Sequence, residues 1–170
     1  MRILIAGIGN LLRGDDGFGV AVAQALRGRG VLGKEVRIIE AGIAGIGLVQ
    51  DLMDGVDVLI IADAMDRDKE PGTVYLIEPQ LTALQNPDPM NLHQSLVDAH
   101  YADPSKVLLL AQALNVLPRK VFLVGCQPEV YDEPRIGLSP SVEQALQLAV
   151  QQIENLVAKL LNESFEDNAN

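Results

Sequence analysis

The sequence predicts an α/β fold in which a five-stranded, mostly parallel twisted sheet lies between two layers of helices. Continuous apolar runs at residues 2–6 and 56–62 are typical of strands that are buried on both faces. Strand and helix patterns alternate through the first third of the chain, which is the order of a doubly wound parallel sheet. A long amphipathic pattern after residue 139 predicts a final helix that covers one side of the sheet. Together these features predict a three-layer α/β/α sandwich.

The elements of the first third follow one another closely. The first strand leads through a glycine-rich turn into a helix at 16–27, whose apolar side chains share one face. A second strand at 35–40 and a short helix at 48–53 precede the third strand at 56–62. Because crossovers between parallel strands are right-handed, we expect the strand order to begin 2-1-3.

The fourth strand, at residues 73–78, is expected to break the parallel pattern. Only about ten residues separate it from the third strand, whereas a parallel return needs a dozen or more. We therefore predict that it runs antiparallel at an edge of the sheet. Helical patterns at 92–99 and 105–114 then lead to the fifth strand at 120–124.

The last helix has a clear start and sets the expected domain boundary. Ser139 is a favourable N-cap, and Pro140 occupies the first helical position, where a backbone N–H is not needed. Residues 163–170 are polar and are expected to form a frayed tail. With 170 residues and no linker or internal repeat, the chain predicts a single domain at 1–162 followed by that tail.

The composition excludes several classes of function. The formal net charge is -10 and no cluster of Lys and Arg is present, so a nucleic acid or an anionic membrane would be repelled. No apolar stretch reaches the ~20 residues that a membrane helix needs, and the apolar start lacks the parts of a signal peptide. The lone cysteine, Cys126, allows no internal disulfide. These features predict a cytoplasmic protein with neither a nucleic acid nor a membrane as its partner.

The segment 7–19, GIGNLLRGDDGFG, invites comparison with a dinucleotide-binding loop. It carries G-x-G between a strand and a helix, but the position of the third glycine is Leu12. Asp15 and Asp16 stand where a pyrophosphate would lie, and two carboxylates would repel it. Nucleotide binding is therefore disfavoured. Either acid could instead cap the following helix, since carboxylates favour helix N-termini, or serve a functional role.

Asp63 closes the third strand, directly after an apolar run. In a sheet of order 2-1-3, the connections from strands one and three leave in opposite directions, and a crevice opens beyond their carboxyl ends. Asp16 and Asp63 are both expected to face that crevice. The alternative for Asp63 is a turn residue whose carboxylate is satisfied by backbone N–H groups, but its position favours a functional role.

The two histidines, His93 and His100, are candidates for a metal ligand. Two carboxylates and one imidazole would make a site that suits nickel or zinc, and also cadmium, with room for a further ligand. The spacing alone does not decide which histidine would join the acids.

Other catalytic classes find little support in the sequence. Cys126 has no obvious histidine base, so a small buried packing role is favoured over that of a nucleophile. The serines lie outside any G-x-S-x-G context and H-E-x-x-H is absent, which argues against a serine hydrolase and against a zincin.

Several motifs, in order along the chain, resemble those of the hydrogenase maturation protease family. The segment 7–19 resembles the N-terminal signature of that family, and Asp63 stands at its third-strand position. His93 follows at a distance similar to that in the family. The remaining matches are PGTV at 71–74, GCQP at 125–128 and GLSPSV at 137–142. The motifs extend over most of the chain, and their order makes the resemblance specific.

This resemblance implies an activity and a partner. Members of the family remove a short C-terminal extension from the large-subunit precursor of a nickel–iron hydrogenase, after nickel has been inserted. The resemblance implies that Asp16, Asp63 and His93 are the metal ligands and the catalytic residues. The nickel they contact would be carried by the substrate, and zinc or cadmium could take its place. The expected enzyme is a nickel-dependent, aspartate-using endopeptidase.

One segment departs from the pattern of the family. Many members have an acidic, glycine-rich D-G-G-T type segment after the second strand, whereas residues 40–45 read EAGIAG here. That segment has been linked to substrate recognition. Two alternatives therefore stay open, namely a non-catalytic nickel-sensing or chaperone module of the same fold and a related peptidase with another protein substrate.

Overall fold

The structure is a computed structural model. It describes residues 1–43, 45–80, 104–130 and 133–167 of the chain. Within these residues, strands and helices alternate as far as the third strand, and the fourth strand follows directly, as the sequence predicts. In chain order the elements are β1 (Ile3–Ile8), a 3-10 turn (Asp15–Gly17), α1 (Phe18–Arg29), β2 (Val36–Gly42), α2 (Gly45–Leu52), β3 (Val58–Ala64), β4 (Val74–Ile77), α3 (Pro104–Ala113), β5 (Lys120–Cys126) and α4 (Pro140–Asp167).

The strands form one sheet of order β2-β1-β3-β5-β4. β1 pairs in parallel with β2 and with β3, and β3 pairs in parallel with β5. β4 runs antiparallel to β5, with Val74 opposite Cys126, and lies at the edge of the sheet. The predicted strand order and the antiparallel edge strand are therefore confirmed.

Helices cover both faces of the sheet. One apolar layer joins alternate side chains of β1 and β3 to α1 and α4, with Phe18 and Ile153 fully buried in it. The opposite layer joins the other side chains of the same strands to α2 and α3, around Leu52 and Ala111. Each large apolar side chain buried in this way stabilises the fold by about 1.5–3 kcal/mol. The three-layer sandwich that the sequence predicts is confirmed.

Two boundaries that bear on the site differ from those expected. β3 continues through Asp63 to Ala64, because its pairing with β5 extends as far as Cys126. α1 begins at Phe18, since the residues before it form the 3-10 turn.

The C-terminal helix α4 continues to Asp167, beyond the expected boundary at residue 162. Glu163 lies in this extension and pairs with Lys120, with 3.3 Å between Nζ and Oε2. The helical pattern predicted at 92–99 lies outside the described residues. Of the helices that are described, none combines the length and the apolarity needed to cross a membrane.

Candidate active site

The candidate site lies at the carboxyl edge of β1 and β3. Gly19, in the first turn of α1, contacts both strands there, because a Cβ on Gly19 would overlap the carbonyl oxygens of Ala62 and Ile8. The glycine therefore lets the helix start directly against the ends of the strands. Asp16 precedes Gly19 in the adjoining turn, and Asp63 follows Ala62. Both acids consequently lie at the carboxyl ends of the central strands β1 and β3, as the sequence predicts.

Asp16 is half-buried and is held by a tight loop. Its Oδ2 accepts a hydrogen bond of 2.9 Å from the N–H of Asn10. Gly9 has a φ of 124°, and a Cβ at this position would overlap the carbonyl oxygen of Asp16. Only glycine fits this conformation and this space. The loop thereby fixes the backbone that carries the Asp16 carboxylate.

Asp63 is also half-buried and lies opposite Gly125 in the register of β3 with β5. The chain beyond it stays close to β5, since the N–H of Met65 donates a 2.9 Å hydrogen bond to the carbonyl oxygen of Cys126. Met65 also occupies the space that a side chain at Gly125 would need. Asp63 is therefore positioned by a regular strand on one side and by a tethered turn on the other.

Asp15 has a role different from that of its neighbour. It is fully buried, and its carboxylate accepts four hydrogen bonds from residues distant in sequence. The backbone N–H groups of Glu129 and Val130 donate to Oδ2 at 2.8 Å each. Ser139 donates through its N–H to Oδ1 at 2.6 Å and through its hydroxyl to Oδ2 at 2.8 Å. Asp15 therefore does not cap α1, which was one of the alternatives for it.

The hydrogen bonds at Asp15 decide its protonation state. Burial by itself would raise the pKa of this carboxyl, but the donors from Ser139, Val130 and Glu129 outweigh burial and hold the pKa below its ordinary value. Asp15 is accordingly a buried anion whose charge is stabilised by the dipoles of these N–H and O–H donors.

Cys126 is a buried packing residue, as the sequence predicts. Its side chain is fully buried in the layer beneath α1 and α4. Burial, reinforced by the negative charge of Asp15, raises the pKa of the thiol to about 12. Because the thiolate is the reactive form, this cysteine is no nucleophile at neutral pH.

Gln127 is a site residue that the sequence alone did not single out. It is buried next to Cys126, and its Oε1 accepts hydrogen bonds from the N–H of Arg67 at 2.8 Å and of Lys69 at 3.3 Å. Its Nε2 donates to Asp66 at 2.9 Å. One buried amide thus holds the turn that follows Asp63. The available signal was a polar residue between a strand and a proline in GCQP.

Residues 40–43, the described part of the segment that departs from the family pattern, lie beside the first loop, which is the stretch 9–17 between β1 and α1. Gly42 ends β2 with a φ of 56°, and its carbonyl oxygen accepts a 3.0 Å hydrogen bond from the N–H of Gly9. Glu40, the acid of this segment, pairs with Arg27 of α1 at 2.7 Å. The carboxylate of Glu40 is therefore bound to a side chain of α1.

The histidine of the predicted ligand set lies outside the described residues, as does His100. Within the described part of the chain, no three His, Cys, Asp or Glu residues come together as a metal site. The structure therefore brings Asp16 and Asp63 to one edge and leaves the place of His93 a prediction.

Solved structures share this architecture. The hydrogenase maturating endopeptidase HybD from E. coli matches with a TM-score of 0.74 at 33% identity, over 94% of this chain and 93% of that chain. The hydrogenase 2 maturation peptidase from a Thaumarchaeota archaeon matches with a TM-score of 0.70 at 31% identity, over 93% of this chain and 99% of that chain.

Sequence comparison agrees with the fold. The hydrogenase 2 maturation protease of Escherichia coli (strain K12) is 36% identical over 154 residues, which make up 90% of this chain and 88% of that protein. The family model HycI, hydrogenase maturation protease, matches residues 20–156. This chain therefore belongs to the hydrogenase maturation protease family and is an endopeptidase, a hydrolase.

Proposed function

We propose that this chain is a nickel-dependent endopeptidase that removes the C-terminal extension of a nickel–iron hydrogenase large-subunit precursor. The observation that carries the proposal is the pair of half-buried carboxylates, Asp16 and Asp63, at one edge of the sheet. Two carboxylates leave coordination positions for the groups that already hold nickel in the precursor. The resemblance of the chain to its family adds His93 as the third ligand.

The metal in this proposal is part of the substrate. Carboxylate and imidazole ligands suit nickel, and zinc or cadmium could occupy the same ligands. A precursor without nickel offers nothing for Asp16 and Asp63 to bind. The requirement for the metal would therefore act as a checkpoint that delays cleavage until the precursor is loaded.

Coordination would also bring the reacting groups together. It positions the scissile bond beside the two acids, and the metal polarises its carbonyl group or activates a water. The water adds to the carbonyl carbon, Asp16 accepts its proton, and the C–N bond breaks as Asp16 passes that proton to the leaving amine. Asp63 serves as a ligand. Cys126 takes no part, because its raised pKa keeps it a neutral thiol.

The remaining partners follow from charge. A net charge of -10 disfavours nucleic acids and anionic membranes, in keeping with a cytoplasmic enzyme. The same charge would attract a basic patch on the precursor and speed their encounter at low salt.

Cleavage of the precursor tests the proposal. The large-subunit precursor of the same organism is incubated with the enzyme, with and without nickel loaded, and release of the C-terminal peptide is followed by mass. We expect cleavage only of the loaded precursor. Asp16→Ala, Asp63→Ala and His93→Ala should each lower the rate by ~10²-fold or more, because a displaced ligand misplaces the scissile bond.

Two matched variants serve as controls. His100→Ala removes the other histidine, and Asp51→Ala removes an aspartate of α2 that pairs with Arg37 at 2.9 Å. Both should cleave at the normal rate. Normal cleavage by the three site variants would refute the ligand assignment. Binding of the loaded precursor without cleavage would instead favour a non-catalytic nickel-sensing or chaperone module.

A further inference from the structure

We propose that Asp15 is a positioning residue for Asp16, and that it acts by fastening the first loop to the loop that precedes α4. The inference rests on the proposed function, because it assigns a task to the neighbour of a proposed metal ligand. Its observation is the set of four hydrogen-bond donors, all from residues 129–139, that converge on one fully buried carboxylate.

Backbone hydrogen bonds at Asp15 and at the residues just before it join the same two loops. The N–H of Asp15 donates to the carbonyl oxygen of Val130 at 3.1 Å, and that of Gly14 donates to Arg135 at 2.8 Å. Arg135 returns a bond of 3.0 Å from its own N–H to the carbonyl oxygen of Leu12. The first loop is thus hydrogen-bonded to Val130 and Arg135 of the second loop, which precedes α4. The buried carboxylate of Asp15 adds side-chain hydrogen bonds between the same two loops.

The position of Asp16 depends on the hydrogen bonds that Asp15 makes to the second loop. It shares the 3-10 turn with Asp15, so the two α-carbons move together. Among the residues that the structure describes, the hydrogen bond to the Asp16 carboxylate comes from Asn10, within the same loop. Nothing in that bond relates the loop to the rest of the molecule. The side-chain connection from this loop to the C-terminal half of the chain is made one residue earlier, by the Asp15 carboxylate, beside the backbone bonds of Leu12, Gly14 and Asp15.

The chemistry of the position requires a carboxylate. Oδ2 alone accepts from Glu129, Val130 and the Ser139 hydroxyl, while Oδ1 accepts from the Ser139 N–H. An asparagine of the same shape would present its NH2 group to at least one of these donors, and two donors facing each other leave both unsatisfied. The substitution Asp15→Asn should therefore release the second loop without emptying any space in the core.

Ser139 and Ser141 offer a matched pair of variants. Ser139→Ala removes one donor to Asp15 and leaves the three backbone donors in place. Ser141 lies 3.2 Å from Ser139, hydroxyl to hydroxyl, and donates to Glu129 at 2.6 Å. Ser141→Ala accordingly removes a hydroxyl from the same cluster without removing any bond to Asp15.

The experiment measures kcat/KM for cleavage of the nickel-loaded precursor, together with thermal unfolding of each variant. We expect Asp15→Asn to lower kcat/KM by about 10–100-fold, because a shift of the Asp16 loop misplaces a ligand relative to the scissile bond. Ser139→Ala should lower it several-fold, and Ser141→Ala should leave it within about twofold. Equal losses in both serine variants would overturn the inference.

A double-mutant cycle separates positioning from mere stability. The dissociation constant of the loaded precursor is measured for the wild type, for Asp15→Asn, for Asp16→Ala and for the double variant. Ser139→Ala takes the place of Asp15→Asn if that variant fails to fold. If Asp15 acts through Asp16, the second substitution should weaken binding no further. A further loss as large as that in the wild-type background would overturn the inference. Unchanged binding and cleavage in Asp16→Ala alone would instead refute the proposed function.

Discussion

Two adjacent aspartates show how strongly the surroundings determine the task of a side chain. Asp15 is fully buried under four donors, whereas Asp16 is half-buried at the edge of the sheet. The sequence presents them as equivalent neighbours, and helix capping was a reasonable alternative for both. The donors to Asp15 lie up to 124 positions away, so no local pattern could have separated the two acids.

Cys126 allows a prediction about reactivity. With a pKa of about 12, only about one thiol in ten thousand is ionised at pH 8 in the folded protein. We expect iodoacetamide to leave the native protein unmodified at pH 8, and still nearly unmodified at pH 10, since the raised pKa extends the range of the neutral thiol upwards. Alkylation is measured by intact mass.

The unfolded protein is the control for this experiment. In guanidinium chloride the thiol regains its ordinary pKa and should be modified within minutes. Modification of the native protein at a similar rate would mean that the thiol is neither buried nor held neutral.

At the level of elements, the start of α1 is set by a close approach that only glycine permits. A Cβ on Gly19 would overlap two carbonyl oxygens, one from β1 and one from β3. Gly28, in the same helix, has no other atom within 4 Å of the place where its Cβ would lie. The two glycines therefore differ only in what surrounds them.

This difference predicts opposite effects of one substitution. Gly19→Ala should lower the free energy of unfolding by about 1–3 kcal/mol and reduce cleavage, because α1 and the adjoining Asp16 must move away from the strands. Gly28→Ala should raise the free energy of unfolding by up to ~1 kcal/mol and leave cleavage unchanged, because alanine favours the helix. Denaturant unfolding and the cleavage assay measure both. A stable, active Gly19→Ala variant would contradict the packing described here.

Most elements could be predicted from sequence because their patterns are local. The apolar runs of β1 and β3 identify buried strands, and a connection of about ten residues identifies β4 as antiparallel. The end of β3 could not be placed from its own residues. It extends past Asp63 because β5 continues to pair with it, and that partner lies some sixty residues further along the chain.

For the molecule as a whole, the length of α4 raises the question of where the domain ends. The helix continues to Asp167, but Glu163 is held by exposed ion pairs with Lys120 and Lys159, and such pairs contribute only about 0–1 kcal/mol. We therefore expect a chain ending at residue 162 to lose at most ~1 kcal/mol of its free energy of unfolding and to keep its activity.

A shorter chain ending at residue 156 is the control for this truncation. It also removes Val157 and Leu160, both buried against the sheet, and should lose several times as much stability because deletion of one such side chain costs about 2–5 kcal/mol. Equal losses in the two truncations would mean that the polar end of α4 belongs to the folded domain. Denaturant unfolding measures both.

The bond between Asp15 and Ser139 also determines when the enzyme can become competent. During synthesis Asp15 leaves the ribosome 124 residues before Ser139. Closing a loop of this length is unfavourable until the sheet has formed and brought its ends together. We therefore expect the acid-bearing loop to reach its final shape late in folding, so that a chain not yet extended to Ser139 carries the acids but not their arrangement.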